Sequence, residues 1–244
     1  MMKLKLLYLI ILLSICFNCT STEISSKAFL CVPEAPPYSG SKLPNGGPLT
    51  KVVVEALRLA KINVEIRYAP WARILHDAEN GNCLILGLWS TKQRRAIFHF
   101  STHPIVKQTL GLYTINKKNF TEIDNGILAV ERSSYISESL KQQAAELYEI
   151  TSVKQGLEML AKSRVDALYG EMGHINYLIH LDDVFNNKNN ISFQTLETKL
   201  AFLAISKSNP HAISILKLFD RNIEAAFKQA NITNNSWVPV ERHD

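Results

Sequence analysis

Two doubly wound α/β lobes joined by a two-segment hinge are the architecture this sequence predicts, and three observations predict it. A β-α-β-α-β order runs from Ala28 to Trp89, the alternation that builds a parallel sheet with helices on its faces. The same order recurs from Ile127 to Tyr169. Two extended, alternating runs, residues 107–114 and 199–205, separate these repeats from each other and from the C-terminal segment.

Each element follows from local pattern. Residues 28–32 are a short apolar strand stopped by Pro33, Pro36 and Pro37. After a turn at Asn45-Gly46-Gly47, Leu49, Val52, Val53, Ala56, Leu57 and Ala60 recur at helical spacing and give one apolar face. Residues 64–68 alternate as a strand, and 71–78 form a helix. Gly81-Asn82 then turns the chain into residues 83–89, a continuous apolar run suited to a central parallel strand. In the second repeat, 127–130 is a strand, Ser137 opens a helix and 148–150 is a short strand. Ser152 with Gln155 makes a capping box for a helix carrying Val153, Leu157, Leu160 and Ala161, and 165–169 is the next strand. Asn209 as cap and Pro210 at the first position open a long amphipathic helix with Ile213, Leu216, Phe219, Ile223 and Phe227. The chain therefore leaves one lobe, builds another and returns. The expected division is residues 26–106 with 206–244 for the first lobe, and 107–205, including the hinge segments, for the second.

The N-terminus carries an address. Lys3 and Lys5 precede an apolar stretch over residues 6–15, too short to span a bilayer, and small polar residues follow. Residues 1–21 are expected to be a signal peptide cleaved near 19–21, which leaves a mature chain of about 220 residues. A membrane anchor, and lipoprotein processing at Cys16 or Cys19, are the alternatives. The formal charge of +5 is spread among scattered basic residues rather than a stripe, which argues against a nucleic-acid surface. The seven histidines form no HExxH, the mature chain retains no CxxC pair once Cys16 and Cys19 leave with the signal peptide, and neither a G-x-S-x-G elbow nor a Walker loop occurs, so no metal, no cofactor and no catalytic role are expected. Cys31 and Cys83 are expected to be free buried thiols. The first lies late and the second early in its strand, and an offset of about three residues at 3.3 Å each exceeds bridging distance.

In open parallel sheets, ligands bind beyond the carboxyl ends of the strands. There the sequence places Glu34 and Tyr38, then Trp71 and Arg73, then Trp89, Ser90, Thr91 and Arg94. In the second repeat it places Glu131, Arg132, Ser133 and Ser134 leading into a helix, and Glu171 after Tyr169. Aromatic platforms, hydroxyls and charges of both signs suit a zwitterion better than a metal, a phosphate or a lipid. Arg94 offers a fork to a carboxylate, with Thr91 one turn before it. Ser133 and Ser134, at a helix N-terminus, offer amides to an anionic atom. Tyr38 and Trp71 can sandwich an apolar part or face a cation. Plain structural roles stand beside these: Arg94 with Arg95 as a solvated turn, Trp71 as a core plug, Glu171 as an exposed loop carboxylate.

The motifs Pro36-Pro37-Tyr38, Pro70-Trp71-Ala72-Arg73, Asn80-Gly81, Thr91-Lys92-Gln93-Arg94, Phe100-Ser101 and Asp166-Ala167-Leu168-Tyr169-Gly170-Glu171 together resemble the family 3 extracellular solute-binding proteins. The likeness covers nearly the whole mature chain. It implies a periplasmic-binding-protein fold and a periplasmic protein, expected as a monomer. Such a protein closes on a small ligand, an amino acid or a related small carboxylate, and hands it to an ABC transporter permease. The resemblance implies that Arg94 holds the ligand carboxylate and Glu171 its ammonium. The alternatives are a sensory protein that engages a membrane receptor, or a dehydratase-like enzyme using Glu171 or His174 in the same cleft. Three departures from the family pattern are visible: Glu171 in place of Asp, Arg132 where a glycine is usual, and one extra residue between Ser101 and Pro104. Arg132 is expected to bring an unneutralised positive charge near the cleft.

Overall fold

The computed structural model describes residues 28–116, 126–182, 185 and 191–232. The signal peptide expected over residues 1–21, with Cys16 and Cys19, and the C-terminal 233–244 lie outside the described residues. No described helix is long and apolar enough to cross a membrane.

Strand β1 (Ala28–Pro33) is followed by helix α1 (Pro48–Leu59), β2 (Val64–Ala69), α2 (Trp71–Glu79), β3 (Leu84–Trp89), α3 (Lys92–Ile97) and β4 (Phe98–Phe100). A ten-residue strand β5 (Val106–Ile115) leads to β6 (Ile127–Glu131), α4 (Glu138–Gln143), β7 (Glu146–Ile150), α5 (Val153–Ala161), β8 (Ala167–Glu171) and α6 (Met172–Leu181). The sixteen-residue β9 (Ile191–Ser206) returns, and α7 (Ala212–Ala230) completes the described chain.

All nine strands belong to one sheet in the order β2-β1-β3-β9-β5-β8-β6-β7, with β4 also paired to β9. Two three-stranded parallel units, β2-β1-β3 and β8-β6-β7, stand at the ends. The long antiparallel pair β5 and β9 joins them. The two extended runs read from the sequence are thus the middle of the sheet, and both reach into each half.

Both faces of each half are covered. On one face of the first half, Leu30, Val32, Leu84 and Leu86 pack against Val52, Val53 and Leu57 of α1 and Phe219, Ile223 and Phe227 of α7. On the other face Cys31, Ile85 and Leu88 pack against Ile74 and Ala78 of α2. In the second half Ala129 and Leu168 meet Leu157 and Leu160 of α5 and Ile175 of α6. Leu128, Val130 and Tyr169 form the opposite layer with Leu140 of α4.

The strands alternate because the pleat does, with one deviation that matters for the site. Gly87 adopts φ 83, and the pairing of β3 with β9 shifts between Ile85 and Leu88. This bulge puts Leu88 on the same face as Ile85 and re-aims Trp89. A side chain at such a φ is strained, which is why glycine stands there.

Several expectations need correction. Cys31 and Cys83 form a disulfide, with Cα atoms 5.8 Å apart. The register sets Cys31 opposite Ile85, so Cys83 is offset by two residues rather than three and shares its face. Cys83 also lies in the bend just before β3, where the chain has not yet straightened into the strand. Ser133 and Ser134 do not open a helix. They sit in a turn, Ser133 at φ 64, and α4 begins at Glu138 with Ser137 as its cap. Arg132 is not left unneutralised, because its Nε lies 3.3 Å from Glu149 Oε2 on β7. The C-terminal helix starts at Ala212 with His211 as its cap residue, while Asn209 Oδ1 accepts the His211 amide. The strand expected over 165–169 runs to Glu171, which places that carboxylate at the strand's end. Ser152 caps α5 as expected, but Gln155 reaches back to the Thr151 amide rather than to that of Ser152. The long loop after Ser101 is pinned to α7, where the Asp220 carboxylate accepts the Thr102 and His103 amides.

Candidate functional site

The carboxyl ends of both parallel units face one another across a cavity of about 630 Å³. The end of β1 supplies Glu34 and Pro36, and β2 with the start of α2 supplies Tyr68, Pro70 and Trp71. From the β3 bulge come Gly87 and Trp89. The second half contributes Glu131 after β6, Thr151, Ser152 and Lys154 at the start of α5, and Tyr169 and Glu171 from β8. His174 of α6 and Gln108 of β5 complete the wall.

Four of the nine expected site residues line this cavity: Trp71, Trp89, Ser134 and Glu171. Tyr38, Ser90, Thr91, Arg94 and Ser133 lie outside its lining. Thr91 caps α3 by accepting the Arg94 amide on its hydroxyl. The Ser90 hydroxyl accepts from Arg95 Nε. Arg94 is buried, with its side-chain nitrogens 3.3 Å from Trp89 O and 3.4 Å from Ser133 O and its guanidinium 5.5 Å from the Trp71 ring. Among the described residues no carboxylate pairs with it, and burial pulls its pKa down to about 10.

A set of hydrogen bonds crosses from one half to the other around the cavity. The buried Tyr38 hydroxyl donates to Glu171 Oε1 at 3.0 Å. His174 Nδ1 lies 2.7 Å from Pro36 O, and a carbonyl only accepts, so that nitrogen carries the proton. Trp71 Nε1 donates to Ser133 O at 3.1 Å. Glu171 also caps α6 by accepting the Gly173 and His174 amides, and the Thr109 backbone adds a further hydrogen bond to the same carboxylate. Burial raises its pKa and these donors oppose the rise. Burial holds His174 below the usual histidine range. A Cβ at Gly173 would collide with the Tyr38 phenol, so glycine there is what lets the two side chains meet.

The aromatic wall is fixed at its polar ends. Trp89 Nε1 donates to Gln108 Oε1 at 2.7 Å, and the Tyr169 hydroxyl reaches Glu197 at 3.4 Å. Glu131 differs from every other charged group of the interior. It lines the cavity at the end of β6, no hydrogen bond or ion pair ties its side chain among the described residues, and burial pushes its pKa up to about 7. The sequence puts Glu131 at a strand end, but its neighbours Arg132 and Ser133 carry equally polar signals. Only the turn geometry, with Ser133 in a left-handed conformation, separates the residue that faces inward from those that do not.

No family model matches the chain, and no curated protein matches it in sequence. Solved structures do match in fold. A substrate-binding protein of an amino acid ABC transporter superposes with a TM-score of 0.67 at 15% identity, over 84% of this chain and 95% of its own. A histidine kinase sensor domain with similarity to periplasmic binding proteins gives 0.70 at 14% identity, over 85% and 92%. An amino acid ABC transporter substrate-binding protein from Streptococcus pneumoniae, bound to L-arginine, gives 0.67 at 15% identity, over 84% and 90%. The chain has the two-lobe periplasmic-binding-protein fold, in agreement with the resemblance carried by its motifs.

Proposed function

We propose that the protein is an exported solute-binding protein. It captures a small polar organic solute of amino-acid size between its lobes, without converting it, and delivers it to an ABC importer. The observation that carries this reading is the cavity at the carboxyl ends of both parallel units, ringed by Tyr38–Glu171, His174–Pro36 and Trp71–Ser133. Bonds of that kind form only when the halves are together, so a ligand held there and a closed shape stabilise each other. Trp71, Trp89, Ser134 and Glu171 are proposed ligand contacts or their direct supports. Arg94 is proposed to brace the closed form through Ser133 O. Glu171 and His174 have hydrogen bonds committed to bridging the halves, which supports a binding role for these two. The neighbours in fold, several of them amino-acid-binding proteins, support the solute class, and the Cys31–Cys83 disulfide suits an oxidising compartment such as the periplasm. A monomer suffices for this role.

A thermal-shift screen of amino acids, amines and small carboxylates tests the reading. A solute at a hundred times its dissociation constant should add about 2.7 kcal/mol of stability. Small-angle scattering with the same solute should show a smaller radius of gyration. Absence of any shift across the library would overturn the reading. A second reading, capture of the same solute for a membrane-bound sensor, draws on the match to a histidine kinase sensor domain. Pull-down of the loaded protein with importer or receptor membranes separates the two.

A further inference from the structure

Taking solute capture as given, the structure assigns the leading recognition element of the cavity to Glu131, and with it the solute class: an organic cation, a protonated amine or guanidinium, bound without need of a carboxylate. Three carboxylates line the cavity, and they are not equivalent: Glu34 is exposed and accepts the Ser41 amide. Glu171 is saturated by the Tyr38 hydroxyl and three backbone amides, so it has little left to offer a solute. Glu131 lines the same cavity with no bond or ion pair among the described residues. A carboxylate out of bulk water and without a partner is costly, and a cation supplied by the ligand removes that cost.

The positive groups point the same way. Arg94, the fork the sequence offers for a carboxylate, is buried outside the lining and turned to the carbonyls of Trp89 and Ser133. Lys42 and Lys154, the lysines on the wall, are exposed at its rim. The wall also carries the rings of Tyr68, Trp71, Trp89 and Tyr169, which favour a cation or a planar guanidinium. Burial raises the pKa of Glu131, as expected of a carboxyl group waiting for a countercharge.

The test compares amino acids with their own decarboxylated amines: arginine with agmatine, lysine with cadaverine, tyrosine with tyramine, and glutarate as the anionic control. Isothermal titration on the intact mature protein should find at least one amine binding as tightly as its parent amino acid, with glutarate silent. Glu131→Gln keeps shape and removes charge, so it should melt no lower than wild type yet bind that amine about a hundredfold more weakly. Amino acids that bind while their amines do not would overturn the assignment and leave solute capture standing. Glu131→Gln binding like wild type would do the same. Silence of every compound would instead count against solute capture itself.

Discussion

At the scale of single residues, Glu131 makes a pH signature that needs no ligand. Its carboxyl is pushed from 4.5 to about 7 by burial, so between those values the folded form holds a proton that the unfolded chain has released. Stability must then fall as pH rises from about 4.5 to 7 and level off above, because the ionised group is the one that burial penalises. The other ionisable side chains on the wall are Glu34, Lys42, Tyr68, Lys154, Tyr169, Glu171 and His174, and some of these contribute slopes of their own. The comparison that isolates Glu131 is therefore the difference in melting temperature between wild type and Glu131→Gln across pH 5–8. It should widen in favour of the variant as pH rises, and a flat difference would mean that Glu131 is well solvated. Residue roles of this kind were only partly legible in the sequence. Thr91, read as a ligand contact, caps α3 instead, whereas Ser152 was readable as a cap because a cap is decided within one turn of helix. Glu131 was not, because whether it faces inward depends on the turn at Ser133, and serine is not a residue that advertises a left-handed backbone.

Elements were read more securely than their register. The apolar periodicities of α1, α2, α5 and α7 and the alternation of the strands are local consequences of burying one face, so they survive without knowledge of partners. Pairing register is not local, and the disulfide shows the difference. A shift of one residue between neighbouring strands, together with the bend at Cys83, decides whether two sulfurs meet. The bridge ties β1 to the entrance of β3 across 52 residues of sequence, so it restricts the unfolded chain over α1, β2 and α2 together. Loop-closure entropy for a ring of that size is worth about 4 kcal/mol at most. Replacing both cysteines by alanine should lower stability by about 2–4 kcal/mol in denaturant titration. Thiol labelling of the denatured, unreduced wild type should find neither Cys31 nor Cys83 reactive, and two reactive groups would refute the bridge.

For the whole molecule, two lobes sharing one sheet is a different object from two lobes on a flexible tether. Strands β5 and β9 pair with each other from Val106–Ala201 to Ile115–Ile191, and each also pairs with a parallel unit. Opening of the proposed cleft therefore has to be a twist or bend of these strands rather than a swing about loops. Gly111 sits where their register shifts, and a Cβ there would strike the Gln194 carbonyl and the Phe193 ring. The two crossings were visible in the sequence as extended runs. That they lie side by side, and so make the hinge a piece of sheet, required the long-range pairing.

The last described helix has a consequence for how the molecule comes into being. Phe219, Ile223 and Phe227 of α7 cover Val52, Val53 and Leu57 of α1, about 170 positions earlier in the chain. A polypeptide made or exported N-terminus first has all of its second lobe in hand before it owns the residues that finish the first. The second lobe should accordingly mature early, while the first waits with α1 uncovered and vulnerable to aggregation or chaperone capture. Pulse-labelling hydrogen exchange during refolding should find amides of β6 and β8 protected before those of β1 and β3, and the reverse order would contradict this. A chain stopped at Ser206 should bind a hydrophobic dye strongly, and adding the 212–230 segment as a peptide should suppress that signal. The first lobe is thus incomplete until α7 arrives.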